Sequence, residues 1–145
     1  MGDGHPVIPI DPDLESAPRR VDPVVLAVIA LGGMLGASAR YGVARLVPTT
    51  DGTFPWATFW TNVSGSFVLG VLLVLLVERF RPNRYLRPFL CTGILGAFTT
   101  MSTYAVETAL LLKDGHALTA VVYGIGSLLA GVALAYVGII AGRRL

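Results

Sequence analysis

The sequence predicts an all-α integral membrane protein with four transmembrane helices, the third of which is broken near its centre. Of the 145 residues, 54% are hydrophobic and only 14% are charged, a composition outside the usual range of soluble domains. Four predominantly apolar segments, residues 24–47, 54–77, 86–112 and 117–141, are each near the roughly 20 residues that a membrane-spanning helix needs. A run of hydroxyl residues in the third segment predicts the break.

The first segment follows an N-terminal region, residues 1–23, of very different composition. This region contains five acids, two arginines and repeated prolines, and it cannot bury enough apolar surface to become ordered. We therefore expect a disordered N-terminal tail over residues 1–23 and a four-helix transmembrane domain over residues 24–145.

The second and fourth segments carry polar residues every four positions, which places them along one face of each helix. These residues are Thr58, Asn62 and Ser66, followed by Gly70, in the second segment, and Tyr123 and Ser127, followed by Gly131, in the fourth. For Gly131 we favour a packing role, which we also assign to Gly32, Gly36 and Gly138. Asn62 leaves two alternatives open, a functional role or a hydrogen bond between helices, because a buried carboxamide needs partners.

The third segment contains the stretch GAFTTMSTY, residues 96–104, in which a glycine precedes four hydroxyl residues. Such residues lower helix propensity, and their side chains can bond to backbone groups that a break sets free. A broken helix is tolerated at membrane depth where it lines a cavity or is buried in protein, and it can hold ions there. The stretch therefore indicates ion handling without a fixed charge.

Charged residues are few within the segments: Arg40 lies late in the first and Glu107 late in the third. Both could occupy interfacial positions, with Arg40 snorkelling and Glu107 paired with Arg40 or Lys113. The sequence shows no metal-ligand cluster, no nucleophile with a base, no glycine-rich phosphate loop and no pair of acids at mid-span. We therefore expect neither an enzyme nor a proton relay.

Four motifs, in order and spacing, resemble the CrcB/Fluc fluoride channels. They are GGMLGASARY from Gly32, TFWTNVSGSFVLG from Thr58, TGILGAFTTMST from Thr92 with Glu107 beyond it, and YGIGS from Tyr123. The match covers all four segments and leaves out only the tail. The resemblance implies passive export of cytoplasmic fluoride by an inverted dimer, with two anion pathways between the subunits.

The resemblance also implies roles for particular residues. Asn62 is similar to the pore asparagine, Arg40 and Glu107 to vestibule residues, and the Gly96 and Thr99 carbonyls to ligands of a structural sodium ion at the dimer centre. The implied anion pathway further includes Thr58, Ser66, Met101, Ser102, Thr103, Tyr104, Tyr123 and Ser127. Met101 and Tyr104 stand where the family usually has phenylalanines, and Gly131 stands where it often has a serine.

Alternatives remain at this point. A proton-coupled small-multidrug exporter would share the size and the inverted dimer, but it needs a carboxylate deep in the first segment, and residues 24–39 contain none. A poorly conducting subunit of a heterodimeric fluoride channel is another alternative.

The loop charges predict a multi-pass protein of the inner (plasma) membrane with both termini in the cytoplasm. Eight arginines fall on the side of the termini, namely Arg19, Arg20, Arg79, Arg81, Arg84, Arg87, Arg143 and Arg144. Toward the other side lie Arg40, Arg45 and Lys113. Because the distribution is uneven, it favours one fixed orientation. This bias and the altered residue at position 101 together point to a heterodimer with a related, inverted subunit, and an inverted homodimer stays open as the alternative.

Overall fold

The computed structural model describes residues 22–79 and 84–145, and its regular elements over these residues are all helical. They are α1 (Pro23–Leu46), α2 (Trp56–Val74, continued as a π-helix over Leu75–Arg79), α3 (π-helical over Pro88–Leu95, then α-helical over Gly96–Phe98), α4 (Met101–Lys113) and α5 (Ala117–Arg144). Four stretches are long and apolar enough to cross a membrane, and α3 and α4 together form the third. The predicted four-span, all-α fold is confirmed. Residues 1–21 of the predicted disordered tail lie outside the described residues.

The third span is interrupted between α3 and α4, where the backbone of two residues is extended. Thr99 has a ψ of 158°, and Thr100 has a φ of −149° and a ψ of 121°. These values lie in the β region, so the helix cannot continue through them. Because the whole span runs from Pro88 to Lys113, the interruption falls at its middle. The predicted break is therefore confirmed, and it falls within the hydroxyl run.

Glycines bring α1 and α3 into close contact. A Cβ atom added at Gly32 would lie 2.5 Å from the Phe89 carbonyl oxygen, and one added at Gly36 would overlap the Ile94 carbonyl oxygen. On α3, a Cβ atom at Gly93 would lie 2.9 Å from the Gly32 Cα atom. The packing role predicted for Gly32 and Gly36 is therefore confirmed.

The helices α2 and α5 pack against each other in the same way. A Cβ atom at Gly70 would overlap the Ala135 carbonyl oxygen, and one at Gly138 would overlap the Phe67 carbonyl oxygen. The packing prediction is thus confirmed for Gly138. Gly131 differs, because an added Cβ atom there would meet only the Ser66 hydroxyl, at 3.5 Å.

The two ends of the bundle are each fixed by contacts between neighbouring segments. At one end, the Asp22 carboxylate caps α1 by accepting from the Val24 N–H at 2.9 Å, and it also pairs with the Arg84 guanidinium. At the other end, the loop before α2 meets the loop before α5, where a Cβ atom at Gly52 would lie 2.5 Å from His116 Nε2. The contact between Asp22 and Arg84 places the start of α1 beside the start of the third span.

The close approach of α1 and α3 gives a first prediction. We expect Gly36→Ala to lower the free energy of unfolding by about 1–3 kcal/mol, because its methyl group overlaps the Ile94 carbonyl. The matched control is Gly33→Ala, since nothing lies within 4 Å of a Cβ atom there. Titration with SDS in mixed micelles, followed by circular dichroism, measures both variants. An equal loss of stability in both would contradict this account of the α1–α3 contact.

Candidate functional site

Asn62 of α2 is hydrogen-bonded in both directions to the backbone of Thr100 at the break. Its Nδ2 atom donates to the Thr100 carbonyl oxygen at 3.0 Å, and its Oδ1 atom accepts from the Thr100 N–H at 2.8 Å. The hydrogen bond between helices that the sequence left open is therefore present. Only one of the two Nδ2 hydrogens is used, so the other is left for a further acceptor. We call this pair the Asn62–Thr100 clamp.

Two backbone carbonyls at the break are left without their helical hydrogen bonds. In an unbroken helix the Thr100 N–H would donate to the Gly96 carbonyl, and the Thr103 N–H to the Thr99 carbonyl. Instead the Thr100 N–H donates to Asn62, and the Thr103 N–H donates to the Thr100 hydroxyl at 3.2 Å. Within the described part of the chain, the Gly96 and Thr99 carbonyls therefore lack helical donors. Such carbonyls are suitable ligands for a hard cation.

These two residues line a central cavity of about 290 Å³ together with Asn62, Thr100 and Met101. The resemblance implies one cation site at Gly96 and Thr99, and both residues line this cavity in the structure. Gly96 is exposed, so its side of the cavity is open at the surface of the chain.

A hydroxyl cluster begins α4. The Thr100 side chain caps the helix, its Oγ1 atom donates to Thr103 Oγ1 at 3.0 Å, and Ser102 Oγ lies 3.3 Å from it. The N-terminal end of a helix carries partial positive charge, and here that end lies at mid-span. Thr100, which the sequence analysis did not include in its site, is therefore the residue that joins the clamp to α4. Ser102 touches this cluster but does not line the cavities described below.

An open groove of about 410 Å³ runs along α5 and is called the α5 groove. Its polar lining comes from Asn62, Ser66 and Ser127, and Met101 and Tyr104 line it as well. Ser127 is only 6% exposed, and its Oγ atom has no hydrogen-bond partner among the described residues. Among the residues that the structure describes, no charged residue contributes to the lining. The structure thus brings together five of the residues predicted to form an anion pathway.

The two positions at which the sequence departs from the usual phenylalanines behave differently. Met101 is 75% exposed, so its thioether lies at the surface of the chain. The Tyr104 hydroxyl donates to the Gly124 carbonyl oxygen at 2.8 Å. From the sequence, Tyr104 is expected to keep an aromatic edge in the pathway and to add a donor, but in the structure its one O–H donor is already used by Gly124.

A second group of predicted residues lines a cavity of about 350 Å³ between α1, α2 and α4, called the Arg40 cavity. Arg40, Thr58, Thr103 and Glu107 all line it, and so does Thr100. The two residues predicted to form a vestibule therefore share one cavity. Thr100 lines both this cavity and the central cavity, so the two cavities are neighbours at the break.

The Glu107 carboxylate is held by two hydroxyls instead of by a cation. Thr58 Oγ1 donates to one carboxylate oxygen at 2.9 Å, and the Tyr123 hydroxyl donates to the other at 2.6 Å. Within residues 22–79 and 84–145, Glu107 forms no ion pair with Arg40 or Lys113. Tyr123 is completely buried and lines none of the three cavities. It therefore contributes to the candidate site through Glu107.

Four helical spans and a break clamped at mid-span define a multi-pass membrane protein of the kind that places ions at interrupted helices. The family model described as "CrcB-like protein, Camphor Resistance (CrcB)" matches residues 27–139, which is most of the chain. This chain belongs to the CrcB family.

Three relatives that are named as fluoride-specific ion channels align with most of the chain. "Fluoride-specific ion channel FluC 3" of Streptomyces avermitilis is 51% identical over 119 residues, which are 82% of this chain but only 58% of that protein. "Fluoride-specific ion channel FluC 2" of Nocardia farcinica is 48% identical over 131 residues, 88% of this chain and 94% of that protein. "Fluoride-specific ion channel FluC" of Magnetococcus marinus is 40% identical over 119 residues, 81% of this chain and 97% of that protein.

The clamp gives a second prediction. We expect Asn62→Ala to lower the free energy of unfolding by about 1–3 kcal/mol, because it leaves the buried Thr100 N–H and C=O without partners. The matched control is Thr61→Val, which removes a hydroxyl that bonds only within its own helix, to the Thr58 carbonyl at 2.9 Å. Titration with SDS compares the two. If Asn62→Ala is as stable as Thr61→Val, the clamp does not hold the break.

Proposed function

We propose that this chain is a fluoride channel subunit that lets fluoride leave the cytoplasm passively, and that it is a transport protein and not an enzyme. The observation that carries the proposal is the α5 groove, whose polar lining consists of neutral hydrogen-bond donors. The relatives from three bacteria that are named as fluoride-specific ion channels support the choice of ion. The tail, residues 1–23, lies outside this role, and residues 24–145 form the channel domain.

Neutral donors suit fluoride for a physical reason. Fluoride is small and strongly hydrated, so a pathway must replace its water with closely spaced N–H and O–H groups. The free Nδ2 hydrogen of Asn62 and the hydroxyls of Ser66 and Ser127 are such donors, and they lie in one groove. Fixed positive charge at the same depth would bind the ion too tightly for rapid release. Arg40 instead lies in the adjoining cavity, where it attracts anions toward the break.

The proposed channel contains a second, inverted subunit. The support is that the α5 groove and the central cavity are open on the side where Met101 and Gly96 are exposed. The Asn62, Ser66 and Ser127 side chains in an otherwise apolar groove, and a Gly96 carbonyl without a helical donor, are unfavourable against lipid tails, so a protein partner fits there better than lipid. The rest of the apolar surface, such as Leu118 at 79% exposed, contacts the bilayer.

A structural sodium ion at the subunit interface is part of the same proposal. The fit rests on the Gly96 and Thr99 carbonyls, which the clamp leaves without helical donors. Neutral carbonyl oxygens are the type of ligand that sodium takes in broken membrane helices. The ion would neutralise the two facing carbonyl ends and hold the subunits together, and the residues of this chain would supply half of its ligands.

We further propose that the protein resides in the inner (plasma) membrane with both termini in the cytoplasm. The support is the uneven distribution of arginine and lysine, eight residues on the side of the termini and three toward the other side. A fixed orientation favours an inverted partner of different sequence, so a heterodimer subunit is the second candidate. No observation favours the proton-coupled exporter, since no carboxylate lies within α1.

The function gives a third prediction. Purified chain in liposomes loaded with fluoride should release it along the electrochemical gradient and without a proton gradient, because none of the described residues that line the groove is a carboxylate. Release should be strongly selective over chloride, because closely spaced donors replace the water of a small anion best. A fluoride electrode, with valinomycin and potassium setting the voltage, measures the flux. Flux that needs a proton gradient, or equal passage of chloride, would overturn the proposal. If only a mixture with a related subunit conducts, the heterodimer candidate is supported.

The orientation gives a fourth prediction. A green fluorescent protein fused to the C-terminus should be fluorescent in bacteria, and an alkaline phosphatase fused at the same residue should be inactive, because Arg143 and Arg144 favour the cytoplasm. Replacing Arg84, Arg87, Arg143 and Arg144 by glutamine should produce both orientations. Comparable activity of both fusions on the unaltered chain would contradict a fixed orientation, and it would favour the inverted homodimer over the heterodimer.

A further inference from the structure

Ser127 presents a hydroxyl to the α5 groove that the rest of the described chain does not bind. The residue is 6% exposed, and its Oγ atom has no partner among the described residues. An unpaired buried hydroxyl is costly, and more so in a bilayer. The O–H group is therefore buried at the wall of the groove without a partner among the described residues.

Ser66 on α2 presents a second hydroxyl to the same groove. Hydroxyls inside helices usually bond back to a carbonyl of the preceding turn. Among the described residues, the hydroxyls of Thr61, Ser64, Thr99 and Thr108 do so. Ser66 forms no hydrogen bond within residues 22–79 and 84–145, although it is half-buried and lines the groove. Its O–H donor is thus also unused.

Gly131 of α5 lies beside the Ser66 hydroxyl and lines the same groove as Ser127. A Cβ atom there would meet only Ser66 Oγ, at 3.5 Å, which is an ordinary contact. At Gly138, two turns along α5, an added Cβ atom would overlap the Phe67 carbonyl. Helix packing therefore requires glycine at position 138 but not at position 131. The glycine at 131 instead opens the groove where α2 and α5 face each other.

We propose that Ser66 and Ser127 form a two-hydroxyl binding position for the permeating anion, with the space for it left by Gly131. The inference rests on the proposed channel function and deepens it. It assigns the second hydroxyl of the pathway to α2, opposite a position of α5 that has no side chain. A small anion there accepts one hydrogen bond from each serine, and the Nδ2 hydrogen of Asn62 that the clamp leaves unused lines the same groove.

The test is fluoride efflux from liposomes at matched protein density, for variants that elute as the same oligomer as the unaltered chain. Ser66→Ala should reduce efflux about tenfold or more, since one hydrogen bond to a charged group is lost. Ser64→Ala is the matched control, because its hydroxyl bonds to the Trp60 carbonyl at 2.5 Å and lies outside the groove. It should conduct like the unaltered chain.

The rescue experiment makes the assignment specific. Adding Gly131→Ser to Ser66→Ala should restore most of the efflux, because a serine fits at position 131 and returns a hydroxyl to the same space. If Ser66→Ala does not fold, Ser66→Cys keeps the volume with a weaker donor and should conduct at an intermediate rate. Full efflux in Ser66→Ala or Ser66→Cys, or no rescue by serine at 131, overturns the two-hydroxyl position alone. No efflux from the unaltered chain, either alone or mixed with a related subunit, overturns the proposed function and this inference with it.

Discussion

The reciprocal hydrogen bonds between the Asn62 carboxamide and the Thr100 peptide groups are the constraint on which the other features of the site depend. A helix cannot open at membrane depth unless its freed polar groups find new partners. Asn62 supplies a donor and an acceptor from α2, and the Thr100 hydroxyl supplies the acceptor for the next turn. The result is an extended segment with two unbonded carbonyls on one side and the positive end of α4 on the other.

The three cavities meet at this clamp. Thr100 lines the Arg40 cavity and the central cavity, and Asn62 lines the central cavity and the α5 groove. The positions of both residues depend on glycine contacts, because α1 is packed on α3 and α2 on α5 at separations that a larger residue would prevent. In lipid the hydrophobic effect does not favour contact between helices, so close backbone packing is an important source of their association. The same small residues that hold the bundle together therefore position the break.

Much of this could be predicted from the sequence, because composition and local propensity act over short distances. The four spans follow from apolar length, and the break follows from a glycine and hydroxyl residues at mid-span. The partner of Asn62 could not be predicted, since Thr100 lies 38 positions away and any mid-span polar group would satisfy a carboxamide. Helical spacing places Tyr123 on the same helix face as Ser127, but it does not predict how deeply the side chain is buried. In the structure Tyr123 is completely buried, and its hydroxyl is bonded to Glu107. The π-helical start of α3 has no signature in the apolar pattern.

The most direct test of the clamp is a solid-state NMR measurement on the chain in lipid bilayers. Dipolar recoupling between the Thr100 amide ¹⁵N and the ¹³C-labelled side-chain carbonyl of Asn62 reports the bond that is 2.8 Å from nitrogen to oxygen in the structure. The account predicts strong dephasing from Asn62 and weak dephasing from the Gly96 carbonyl carbon. Strong dephasing from Gly96 and none from Asn62 would mean that the helix is continuous, and it would contradict the account.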